Sequence, residues 1–114
     1  MKAVFVELPA FERRRADYLD DETFRGLQGV LMENPTAGDV ITDTGGLRKL
    51  RFADARRRKG KRGGLRVIYY FWNGGLEFWL FTVYDKDEAT DLNARQRELL
   101  RAGLTEELTA RTER

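Results

Sequence analysis

Two residue types are missing altogether: the 114 residues include no cysteine and no histidine. Without cysteine there is no disulfide framework, thiol nucleophile, iron–sulfur cluster or cysteine-based zinc site. Without histidine there is no Ser-His-Asp triad, no zinc site of the usual type and no imidazole acid or base. An enzyme built from this sequence has to work with lysine, arginine, tyrosine or carboxylates. Continuous apolar sequence is also scarce. No run approaches the ~20 residues of a membrane span. The N-terminal MKAVFVELPAFERRR, interrupted by Glu7, makes a poor signal peptide and a good first strand. The expectation is a soluble cytoplasmic protein of one domain, residues 1–114, with one modest core.

Charge is present in quantity but unevenly placed. The formal net charge is +2, from 21 basic and 19 acidic residues. Residues 48–66 alone hold ten basic groups and one acid, Asp54, which leaves 11 basic against 18 acidic groups elsewhere. Such asymmetry points to a polyanionic partner more strongly than the net charge does.

Local patterns predict the order β-α-α-β-β-β-α. Ala3 to Leu8 is β-branched and aromatic and reads as a strand. Pro9 suits the first turn of a helix running to Leu19. Asp20 or Asp21 then caps a second helix, in which Phe24, Leu27, Val30 and Leu31 recur at helical spacing. Asn34-Pro35 ends it. Val40-Ile41 is a candidate short strand within the connection Thr36 to Gly46. Leu47 to Ala53 alternates, with Lys49 and Arg51 on one side and Arg48, Leu50 and Phe52 on the other. Asp54 to Gly64 reads as a basic loop. Leu65 to Trp72 and Leu76 to Tyr84 are strong strands around the hairpin signal Asn73-Gly74-Gly75. Asn93 and Gln96 fit a capping box ahead of a last helix with Leu100, Leu104 and Leu108. The fold class expected is α+β: a small antiparallel twisted sheet with an N-terminal helical hairpin and a C-terminal helix, the helices covering one face.

Candidate chemistry follows the basic segment. Lys49 and Arg51 project from one face of their strand, Arg66 opens the next strand, and Lys86 lies just past the end of the strand after that. If these strands are neighbours, the four cations converge. A solvated basic face is the competing reading for any one of them. For Arg48 and the loop residues Arg56, Arg57, Arg58, Lys59, Lys61 and Arg62, general phosphate affinity ranks ahead of a catalytic role. Tyr84, beside Lys86, offers a ring on which a base could stack, or a core contact. Asp85, Asp87, Glu88 and Asp91 surround Lys86. Their spacing matches no metal motif, so a polar turn is preferred over a Mg²⁺ site, and no metal or cofactor is assigned.

Clustered cations can suffice for cleaving RNA, because the nucleophile, the ribose 2′-OH, is already in the substrate. The protein has to deprotonate it, stabilise charge on the phosphate oxygens and protonate the leaving 5′-oxygen. Arginine supplies a rigid fork for phosphate oxygens. A lysine crowded by other cations gives up its proton more readily and can act as a base.

Four stretches in order, VFVELPAFER, GDVITDTGGLRKLRFA, GKRGGLRVIYYF and FWLFTVYDKDEATDLNARQ, span nearly the whole chain. In this combination they resemble the RelE/ParE superfamily of toxins from bacterial type II toxin–antitoxin systems, and within it the HigB branch. The resemblance implies a RelE-like α+β fold and a ribosome-dependent mRNA endoribonuclease (an mRNA interferase) that inhibits translation. It also implies the ribosome and mRNA as partners, together with a cognate antitoxin, in this branch usually a HigA-like helix-turn-helix protein. The family's strand cations fall on Lys49, Arg51 and Arg66, and its strand-end Lys on Lys86. Three positions depart from the pattern. The Arg that follows that Lys is Asp87 here, the Gly before it is Asp85, and the late stacking Tyr falls near Asn93. Arg62, Lys61 and Tyr84 are the candidates to fill those roles. Two other readings remain: a ParE-like toxin that binds DNA gyrase without nuclease activity, and an RNA-binding module without catalysis.

Overall fold

The computed structural model describes residues 2–53, 64–88 and 92–112. The basic loop cations Arg56, Arg57, Arg58, Lys59, Lys61 and Arg62, with Asp91 and the end of the chain, lie outside these. The elements are β1 (Val4–Glu7), α1 (Pro9–Tyr18), α2 (Asp21–Glu33), β2 (Asp39–Val40), β3 (Arg48–Phe52), β4 (Leu65–Trp72), β5 (Glu77–Asp85) and α3 (Ala94–Thr112).

Short-range signals act as expected. Pro9 occupies the first turn of α1. The Asp20 carboxylate accepts from Thr23 N–H at 2.7 Å and so caps α2. Asn93 and Gln96 bond reciprocally, side chain to backbone, at 2.8 and 2.9 Å, closing the capping box of α3. The β4–β5 turn differs from its reading in detail. The left-handed residue is Leu76, with φ 51°. Gly75 serves close packing instead, since a Cβ there would come within 2.4 Å of the Trp72 ring.

The α+β class is as expected, and two features refine it. The sheet order is β1-β5-β4-β3-β2, and β1 pairs with β5 in parallel, so the sheet is mixed rather than antiparallel throughout. The helical hairpin carries the chain to the far edge. The antiparallel meander β2-β3-β4-β5 then returns, and its successive reversals bring β5 beside β1 in the same direction. Helices also cover both faces, not one. Beneath α1 and α2 lie Leu50, Val67, Tyr69, Phe78, Leu80 and Val83, packed on Phe11, Phe24, Leu27 and Leu31. Beneath α3 lie Leu47, Ile68, Trp79, Phe81 and Tyr84, packed on Leu92 and Leu104. The reason is in β4 and β5, whose consecutive apolar residues leave neither face able to meet water. A bulge between Ile68 and Tyr69 leaves Phe81 unpaired in the β5 register. Trp79 and Phe81 share the α3 face by alternation, and the extra residue shifts the phase beyond them, so that Tyr84 rather than Val83 returns to that face.

One polar node fixes the β2–β3 end. The buried Tyr69 hydroxyl donates to Pro35 O at 2.8 Å and accepts from Gly38 N–H at 3.0 Å. Arg48 Nη1 donates to Gly38 O at 2.8 Å. Gly38 has to be glycine, because a Cβ would meet the Lys49 carbonyl at 3.0 Å and the Tyr69 ring at 2.9 Å. No helix among the described residues is long and apolar enough to cross a membrane.

Candidate functional site

The β3–β4–β5 register decides which cations meet. Arg51 stands opposite Arg66, and Arg66 opposite Tyr84. Residues directly opposite in a ladder share a face, with strands about 4.8 Å apart. Arg51, Arg66 and Tyr84 therefore form a row across three strands on the α3 face. Lys49, two residues before Arg51 and opposite Ile68, shares that face. Arg48 is paired with Tyr69 and points to the opposite face, where it holds the Gly38 node. The structure thus brings Lys49, Arg51 and Arg66 together with Tyr84 and separates Arg48 from them.

Their surroundings differ. Arg51 is exposed and Lys49 half-buried. Both border a cleft of about 320 Å³ at the outer edge of β3, whose other walls include Val30 of α2, Ala37, Leu50 and Phe52 on the hairpin side. Arg66 is 9% exposed, and its Nη1 lies 3.3–3.4 Å from the carbonyls of Leu65 and Gly64. Tyr84 is buried against Leu92 and α3, and it lines a second cleft of about 390 Å³ with Arg14, Thr82, Leu99 and Leu100.

Lys86 sits in the turn that follows β5. Its backbone N–H donates to Gly64 O, two residues before Arg66, at 3.3 Å. Glu88 N–H closes the turn onto Asp85 O at 2.9 Å, and Asp87 N–H donates to the Asp85 carboxylate at 2.8 Å. The lysine is thereby placed beside the start of β4, at the Arg66 end of the cation row. Among the described residues, no three acids converge on a metal-sized site. The Asp85 and Glu88 carboxylates are taken up by bonds within and around this turn.

Those bonds involve residues that the sequence reading did not single out. Glu88 Oε1 accepts from Asp85 N–H at 3.0 Å and from the Tyr18 hydroxyl. Glu88 Oε2 accepts from Arg14 Nη2 at 2.8 Å. Arg14 also donates to Tyr18 Oη at 2.9 Å and, through Nε, to Val83 O at 2.7 Å. The Tyr18 hydroxyl, the Asp85 N–H and Arg14 together hold the Glu88 carboxyl down at about 2. Burial and the same bond to Glu88 push the Tyr18 hydroxyl up. Arg14 and Tyr18, four apart on α1, share a helix face. That local spacing was the only hint in the sequence, because their partners lie some seventy residues away.

Chemically, the arrangement offers a row of cations suited to phosphate oxygens, with the Lys86 backbone tied beside the start of β4 and the buried Tyr84 ring opposite Arg66. No family model matches the chain.

Proposed function

We propose that the protein is a type II toxin of the HigB kind: a ribosome-dependent endoribonuclease that cuts mRNA by attack of the ribose 2′-OH on the adjacent phosphate, without a metal ion. The observation that carries this reading is the row Arg51–Arg66–Tyr84, with Lys49 on the same face and Lys86 at its end, in a chain that has no histidine. Lys49, Arg51 and Arg66 hold the scissile phosphate and stabilise its developing charge. Lys86 moves a proton or stabilises charge at the reacting oxygens. Tyr84 backs the row as a core contact rather than a stacking surface, and the cations between residues 56 and 62 dock on ribosomal RNA. The setting is the cytoplasm, and a helix-turn-helix antitoxin is the partner that restrains the activity.

The test is to map 5′ ends of cellular mRNA after brief induction. Codon-linked cuts are expected, and they should disappear in a folded Lys86→Ala, Arg66→Ala double variant. Growth arrest without cuts would favour a ParE-like action on gyrase instead. The burial of Arg66 and Tyr84 favours one other reading, a module that binds RNA without cleaving it. That reading predicts salt-dependent RNA binding and intact mRNA on ribosomes.

A further inference from the structure

The turn that carries Lys86 is held from two directions. The bonds from Lys86 N–H to Gly64 O, from Glu88 N–H to Asp85 O and from Asp87 N–H to Asp85 Oδ1 lie within the turn and the adjacent strand. A second set reaches it from α1. Arg14 Nε grips the Val83 carbonyl just before the turn, past Leu80, where the β1 pairing ends. Arg14 Nη2 and the Tyr18 hydroxyl grip the Glu88 carboxylate just after Lys86. Glu88 in turn holds Asp85 N–H. Two side chains one helical turn apart thus brace both flanks of one lysine. A charge-assisted bond at each flank resists sliding or pivoting of the strand end.

We propose that Tyr18, Glu88 and Arg14 are positioning residues that hold Lys86 in register with Arg66. This rests on the role given to Lys86 above. The bracing is not needed to dock α1, which already buries Phe11 and the Tyr18 ring in the core. Leu8 N–H also ties the start of α1 to Leu80 O at 3.0 Å. None of those interactions uses the Tyr18 oxygen.

The test is Tyr18→Phe in the full chain, which keeps the ring and removes the bond. Three quantities are read: amide exchange at Asp85 and Lys86, the single-turnover rate of mRNA cleavage on saturating ribosomes, and ribosome affinity. Exchange at these two amides should quicken about tenfold, while Val67 and Leu80 stay protected. Cleavage should slow about tenfold or more, with ribosome affinity unchanged. Glu88→Gln, which keeps an acceptor, should lose less than Glu88→Ala. Unchanged protection at Asp85 and Lys86 overturns the proposal. So does quickened exchange that leaves cleavage at the wild-type rate, or slower cleavage that simply follows a general loss of core protection. Wild-type protein that cleaves nothing refutes the nuclease reading, whereas the exchange measurement decides independently whether α1 holds the Lys86 turn.

Discussion

Beneath α1 and α2, strands β3, β4 and β5 all contribute buried apolar side chains, from Leu50 through Val67 to Phe78. Beneath α3 the same strands divide their work. β4 and β5 supply Ile68, Trp79 and Phe81, while β3 presents Lys49 and Arg51 beside Arg66. Only Leu104 of α3 is buried, and Leu99 is 56% exposed. The first face is closed by a helical hairpin. The second is covered in part and leaves Lys49 and Arg51 on a stretch of β3 that no α3 side chain buries. A sheet two helices deep on one side can keep an incomplete cover on the other, because the first core supplies most of the burial.

The contrast can be broken most severely from the closed face. Phe11→Ala empties a fully buried site under both helices and should cost about 3–5 kcal/mol in denaturant unfolding. A cost as small as that of an exposed substitution would mean that the hairpin is not the principal core. On the open face, Lys86→Ala should slow cleavage by about 10²-fold or more, with an unfolding midpoint close to wild type. A large fall in stability instead would mark Lys86 as part of the scaffold. Gly75→Ala is intermediate. Its new Cβ has to displace the Trp72 ring, at a cost of about 1–3 kcal/mol in the same unfolding assay.

Smaller effects sharpen the comparison. Lys49→Ala with Arg51→Ala should leave stability within about 0.5 kcal/mol. It should also lower the slope of log affinity against log salt for RNA by about one for each phosphate no longer neutralised. An unchanged slope would remove both residues from the RNA face. The smallest effect concerns acid. Glu88 has a folded value of about 2 against an ordinary 4.5, so its contribution is complete above pH 4.5 and disappears as pH falls towards 2. Its carboxylate is 44% exposed, so solvent screening keeps that contribution to about 1 kcal/mol or less. Glu88→Gln should flatten the acid limb of the stability curve across that window. A limb of unchanged steepness would show that the bonds to Tyr18 and Arg14 are not held in solution.

What could be read ahead of the structure was what local chemistry decides. The Asn93–Gln96 box, the Asp20 cap and the stop at Asn34-Pro35 each involve groups within a few residues of one another. The shared face of Lys49 and Arg51 needed only the two-residue period of a strand. The meeting of Arg51 with Arg66 needed the β3–β4 register, which pairs residues 48–52 with 65–69. The second covered face was written in LRVIYYFW and LEFWLFTVY, which lack the polar alternation of a half-exposed strand. The parallel β1–β5 pairing and the Arg14–Tyr18–Glu88 bonds join distant parts of the chain, and no short-range pattern announces them.

The β1–β5 pairing also orders events during synthesis. Val4 is made early, but its partner Glu77 is made late, and the Arg14 and Tyr18 bonds wait for Val83 and Glu88. The meander can form from neighbours, whereas the edge strand has to be captured across most of the chain. A nascent chain therefore has Lys49, Arg51 and Arg66 before it has the contacts between α1 and the end of β5. The Arg14 and Tyr18 bonds to Glu88 form only after residue 88 has cleared the exit tunnel.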